Sequence, residues 1–124
     1  MGRAVLSINA NKSMNLVLMN ILNKDFDFFC AEDVYSGFNI LKSIKEIEMI
    51  VIDLDEHCDD CLDFIHFIRS SKIHKRKVVV LSGKNDLPNL NTLRKDDSVQ
   101  ILIKPFNPGT LISSYSKYII KKVK

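Results

Sequence analysis

The sequence predicts an α/β protein built on a parallel sheet with helices packed on it, and three observations carry that prediction. Five short apolar runs alternate with segments of helical periodicity. The central run, residues 48–55, is continuously apolar from Met49 to its abrupt end on Asp53 instead of alternating, the pattern of a strand buried on both faces. The connections are short, and strand–helix alternation repeated five times specifies a doubly wound sheet with right-handed crossovers.

Taken in order, residues 3–8 form a first strand that stops at Asn9-Ala10-Asn11. Ser13 caps a first helix in which Leu16, Met19 and Leu22 or Ile21 face inward, ending near Asn23. Residues 26–31, rich in aromatics, are the second strand, and 35–47 a second helix with Phe38, Leu41, Ile44 and Ile47 on one stripe. After the central strand, Asp59 or Asp60 starts a third helix with Leu62, Phe64, Ile65 and Ile68 inward. A basic connector over 70–77 leads to the fourth strand, 77–82. Gly83, Pro88 and scattered Asn and Asp dilute the periodicity of 83–98, which holds a short helix with Pro88 in its first turn. Residues 99–104 are the fifth strand. Asn107 then caps a last helix with Pro108 at its first position and Leu111, Ile112, Tyr115, Tyr118 and Ile119 buried. Phe26, Phe28, Phe29, Phe38, Phe64 and Phe67 read as core packing.

The 124 residues suit one domain, 3–122, with no effector domain, long enough to bury roughly two thirds of its unfolded surface. Hydrophobic residues make up 46% and charged ones 27%, an ordinary globular balance. No apolar run reaches the ~20 residues that cross a bilayer and no signal peptide precedes the first strand, so a cytoplasmic setting without a membrane partner is expected. The net charge of +3 gathers in 72–77 and 117–124, which read as solvated faces. Without a groove-reading motif, nucleic-acid binding is not expected, and without a Gly-rich loop neither is nucleotide or flavin binding.

Three strands end on reactive groups: Asp53 on the third, Ser82 on the fourth, and Lys104 followed by Pro105 on the fifth. Ligands of open α/β sheets bind beyond the carboxyl ends of the strands, so these groups are expected to converge. Asp53, Ser82 and Lys104-Pro105-Phe106, at these intervals, resemble the receiver domain of bacterial two-component response regulators, the family of the chemotaxis response regulator, over nearly the whole chain. The resemblance implies a flavodoxin-like five-stranded sheet of order 2-1-3-4-5 with five helices, and a cis peptide before Pro105. It implies Asp53 as phosphoacceptor, Ser82 as the hydroxyl that binds the phosphoryl group and Lys104 as the cation on a phosphoryl oxygen. Implied partners are a histidine kinase or phosphotransfer protein, and a downstream protein or second copy docking on the face of the fourth helix, fifth strand and fifth helix. The implied role is signalling, not catalysis.

The departures from the family are specific. Where it places two acids that hold magnesium together with the acceptor, this chain has Asn9 and Ala10, so magnesium is expected to bind Asp53 only weakly. Asp55 and Glu56, just past the acceptor, are the candidate compensating ligands. His57 and Cys61 replace the family's loop proline and glycine, and Ile101 replaces its switch aromatic. The expectation is an atypical receiver in phosphorelay signalling, or a phosphorylation-independent pseudo-receiver acting as an interaction module. A rival constellation is Cys58-Asp-Asp-Cys61 with His57, the spacing of a redox dithiol or half a zinc site, for which Cys30, His66 and His74 are the further candidates. The plainer reading puts Cys61 in the core, Cys58 as an exposed loop thiol, His66 at or near the surface and His74 in a basic loop.

Overall fold

The computed structural model of the chain describes residues 4–22, 26–44, 46–54, 58–70, 76–83 and 99–103, apart from the side chains of 58 and 59. The helices expected over 83–98 and from Asn107, together with Asp55, Glu56, His57, His74, Lys104 and Pro105, lie outside the described residues.

Each apolar run becomes a strand: β1 (Ala4–Ile8), β2 (Asp27–Ala31), β3 (Ile47–Asp53), β4 (Lys77–Ser82) and β5 (Val99–Ile103). Between them lie α1 (Lys12–Leu22), α2 (Val34–Ser43) and α3 (Cys58–Ser70). The strands are all parallel and lie in the order β2-β1-β3-β4-β5, the flavodoxin-like order. Side-chain alternation splits the buried residues into two layers. On one face Val5, Met49, Val51, Val79, Leu81 and Leu102 meet Leu18 and Leu22 of α1. On the other Leu6, Ile8, Ile50, Ile52, Val78 and Val80 meet Leu41 of α2 and Phe64, Ile65 and Ile68 of α3. Each fully buried Leu or Ile contributes about 1.5–3 kcal/mol, so covering both faces is what makes so apolar a sheet stable in water.

Several expected details shift, each for a physical reason. Asn11 rather than Ser13 caps α1, its Oδ1 accepting from the Met14 N–H at 3.1 Å. The buried stripe of α1 runs through Asn15, Leu18 and Leu22, and Leu16 is 55% exposed. Asp33 caps α2 by accepting from the Ser36 N–H at 2.8 Å, and the helix stops where Ile44 turns extended at φ −114° and ψ 99°. Ile47 therefore belongs to β3, opposite Ala4, and not to the helix. Cys58 lies in the first turn of α3 instead of a loop. Phe67 is exposed, unlike the other core phenylalanines. Arg76, expected in a solvated connector, is buried with its Nε donating to the Ile47 carbonyl at 2.9 Å. The carbonyl at the start of β3 offers that guanidinium a fixed acceptor, while its methylene stem packs as an apolar chain would.

α2 crosses β1 closely at Gly37, where an added Cβ would stand 2.6 Å from Ile8 Cδ1 and 3.0 Å from Cγ1. Ile8 is buried and has little room to yield. Gly37→Ala is expected to lower unfolding stability by about 1–2 kcal/mol, because overpacking of about 1–3 kcal/mol outweighs the gain of up to ~1 kcal/mol in helix propensity. Ile8→Val deletes the clashing methyl, so in chemical denaturation the double variant should be more stable than the sum of the single effects predicts.

Candidate functional site

Register decides which side chains meet at the carboxyl edge of the sheet. Ile8 pairs with Ile52, so the residues that follow, Asn9 and Asp53, come side by side. Asp53 pairs with Leu81, which puts Ser82 one step beyond it, and Ser82 pairs with Ile103. Ladder contacts continue past the strand ends, with Asn9 N–H donating to the Ala31 carbonyl at 3.0 Å and Leu54 N–H to the Leu81 carbonyl at 3.1 Å.

Asn9 is 4% exposed, and its Nδ2 donates to Asp53 Oδ2 at 3.0 Å. Its Oδ1 accepts the Asn11 N–H at 2.8 Å. A backbone N–H only donates and an ionised carboxylate only accepts, so these two partners fix which way the amide points. Behind Asn9, Asn15 Nδ2 donates to the Asn9 carbonyl at 3.1 Å, and Ser7 Oγ donates to Asn15 Oδ1 at 2.6 Å. Ser7 and Asn15 are both buried. Neither is singled out by sequence reasoning, although Asn15 sits at i−3 and i−7 from Leu18 and Leu22 and so shares their buried stripe.

The expected residues come together only in part. Asp53 is half-buried and lines a cavity of about 530 Å³ with Asn9, Ala10, Asn11, Glu32, Asp33, Tyr35, Asp60 and Cys61. Ser82 occupies its strand end, but it is fully buried, its Oγ donates to the Gly83 carbonyl at 2.9 Å, and it does not line that cavity. Cys61 is buried, with Sγ donating to the Asp53 main-chain carbonyl at 3.6 Å, so this thiol braces the end of β3. Cys30 is an exposed free thiol and His66 is exposed. Ile101 is half-buried and packs against the α2–α3 side of the core.

Magnesium takes near-octahedral oxygen ligation, usually with carboxylate charge. Here Asn9 turns its NH₂ and not its oxygen towards Asp53, and Ala10 has no donor atom. Among the described residues, no three His, Cys, Asp or Glu side chains are placed to share a metal ion. The described residues therefore do not fit magnesium as a tightly held group.

Solved structures match this fold over nearly the whole chain. A response regulator receiver domain protein from Clostridium thermocellum superposes with a TM-score of 0.84 at 20% identity, covering 96% of this chain and 95% of that one. A response regulator from Thermotoga maritima gives 0.75 at 25% identity, covering 94% and 97%. The chain has the receiver-domain fold. A structure named adenylate cyclase, from Rhodopirellula baltica, also superposes, at TM-score 0.77 and 18% identity over 98% of this chain and 96% of that one. A receiver-type sheet thus occurs in proteins with different names, and function has to be argued from the site. No protein-family model matches the sequence, and no curated protein matches it. Among the described residues, no helix is long and apolar enough to cross a membrane.

The chain from Ser7 through Asn15 to Asn9 generates a stability prediction. Asn15→Leu leaves a buried hydroxyl and a buried carbonyl without their partner, each costing about 1–3 kcal/mol, so a loss of about 2–6 kcal/mol is expected in urea denaturation. Ser7→Ala strands a single acceptor and should cost less than Asn15→Leu in the same measurement.

Proposed function

We propose that this chain is an atypical receiver domain of two-component phosphorelay signalling, with Asp53 as its phosphoacceptor and a weakened magnesium site. The observation that carries the reading is the Asn9 Nδ2 to Asp53 Oδ2 hydrogen bond, an amide donor at the strand end where the resemblance puts a metal-binding acid. Phosphoryl transfer to a carboxylate brings one anion onto another, and its catalysis is mostly positioning and charge neutralisation. A carboxylate oxygen of Asp53 attacks phosphorus, the P–N bond of a phosphohistidine on the kinase or phosphotransfer protein breaks, and the histidine nitrogen leaves with its electron pair. The Asn9 amide holds the carboxylate at the edge of the cavity, and Lys104 supplies the cation for the transferred group. Ser82 reaches that group only after its hydroxyl leaves the Gly83 carbonyl, so engagement of Ser82 is a rearrangement and not a preformed contact. The protein is a signalling module of the cytoplasm and not an enzyme. Its output passes to a downstream protein through the fourth helix, fifth strand and fifth helix, the face through which two copies would also pair.

The buried, inward-turned Ser82 and the poor donor set for magnesium favour a second reading, a pseudo-receiver that signals through a constitutive surface without phosphorylation. Beryllofluoride, which mimics a phosphoryl group on aspartate in the presence of a divalent cation, separates the two. Binding at millimolar magnesium supports the first reading, and no binding supports the second.

Asp53→Asn is expected to abolish acyl-phosphate labelling by a small phosphodonor. Asn9→Asp combined with Ala10→Asp should tighten magnesium binding at least about ten-fold, roughly 1.4 kcal/mol, in a calorimetric titration. An unchanged magnesium affinity would overturn the assignment of the defect to positions 9 and 10.

A further inference from the structure

The exposed face of α2 and α3 carries more aromatic surface than the fold needs. Tyr35 is 69% exposed and Phe67 52% exposed, and both line a second opening of about 550 Å³ between the two helices, floored by Phe38 and Phe64. A cavity of this size falls in the range of about 300–1,000 Å³ that ligand sites occupy. Phe38 and Phe67 meet edge to face, their centroids 5.5 Å apart at 70°, which holds the two walls in a fixed relation. On α2 the residues facing the groove stand at i, i+3 and i+4, Tyr35, Phe38 and Asn39, and on α3 they are Asp60, Asp63, Phe64 and Phe67. The sequence pattern treats Phe67 as core, yet it lies on the solvent side of the ring it touches.

Charge says what would cover this surface. Asp60 and Asp63, both exposed and one turn apart, form the rim of the groove near the carboxyl edge of the sheet, and Glu32 and Asp33 precede α2 at the same end. At that end Lys12 pairs with Glu32 at 3.3 Å, which leaves Asp60 and Asp63 as the acids of the rim, and two further cations stand at the other end: Lys42 in the last turn of α2, its Nζ 5.1 Å from the Phe38 centroid, and Arg69 in the last turn of α3. The chain as a whole carries +3, so the acidic rim runs against the average charge of the molecule. Apolar floor, exposed aromatic walls and an acidic rim are complementary to an amphipathic segment with aliphatic anchors and basic flanks.

We propose that the α2–α3 groove is a docking surface for a basic amphipathic helix of a partner protein, whose apolar stripe covers Tyr35 and Phe67 and whose basic side chains pair with Asp60 and Asp63. This proposal does not rest on Asp53 accepting phosphate. The positive end of the partner helix lies over the acidic rim, and the pairing is sensitive to salt because those carboxylates are exposed.

The probe is a short labelled helical peptide with leucines at i, i+3, i+4 and i+7 and lysines elsewhere, titrated into the full chain by fluorescence anisotropy. A peptide of the same pattern with glutamates for lysines is the control. The lysine peptide is expected to bind, with amide shifts in ¹⁵N spectra confined to α2 and α3. Tyr35→Ser with Phe67→Ser should weaken it at least about ten-fold, as for truncated hot-spot aromatics. Asp60→Asn with Asp63→Asn should weaken it and flatten its salt dependence, and because these side chains are exposed this variant keeps the fold if the aromatic one does not. Equal binding of the glutamate peptide, shifts centred elsewhere, or indifference to both double variants would overturn the proposal. Self-association of the chain that disappears in Phe67→Ser would also overturn it, by assigning the groove to a second copy.

Discussion

The hydrogen bond from Asn9 Nδ2 to Asp53 Oδ2, 3.0 Å long, ties together the carboxyl ends of β1 and β3 and sets the character of everything around them. A carboxylate at position 9 would stand beside Asp53, where two like charges ~4 Å apart repel by about 4 kcal/mol at an effective dielectric of 20. A bound divalent ion offsets such repulsion. An amide removes it at the source and replaces it with a charge-assisted donor, a contact of about 1.5–3 kcal/mol. The resting carboxyl edge is thus satisfied by the protein's own groups. The support reaches inward, because the carbonyl of Asn9 is held by Asn15 and Asn15 is held by Ser7, each donor and acceptor matched in direction. α1 is anchored to the sheet through this polar chain as well as through Leu18 and Leu22.

The same edge shapes the solvent side. Val34, Tyr35 and Asp60 border both the Asp53 cavity and the groove between α2 and α3, so the two openings adjoin at the top of these helices. The caps and packing that set the angle of α2, Asp33 at its start and Gly37 against Ile8, position both at once.

Much of this was legible in the sequence because buried parallel strands have a simple signature. Residues 78–81 and 49–52 are unbroken apolar runs, and a strand buried on both faces has few other compositions. The strand ends follow from the runs, so Asn9, Asp53 and Ser82 could be placed at one edge from spacing alone. Asn15 was not legible, because its burial depends on two partners of matching polarity, not on its own hydropathy. Arg76 was not legible for the same reason, its Nε donating to a carbonyl far away in sequence. Phe67 erred the other way. Its helical phase points between α2 and solvent, and an aromatic there reads as core unless the neighbouring helix is known to leave it uncovered. Ile47 shows the limit of helical spacing, since a stripe over-extended by one turn was claimed by the strand ladder.

One irregularity in that ladder has a broader meaning. Ala4 pairs with Ile47 but Val5 pairs with Met49, so Glu48 is a supernumerary residue where β3 begins. Alternation restarts after it, and Ile47 and Ile50 face one layer while Met49 and Val51 face the other. Glu48 works as a phase adjuster: the chain ahead of it can gain or lose a residue without inverting the strand, whereas an insertion between Met49 and Asp53 would turn the carboxylate to the opposite side of the sheet. The length of this half-strand is consequently under a parity constraint, and homologous chains would be expected to vary in the turn before Ile47 before they vary in the five residues that follow Glu48.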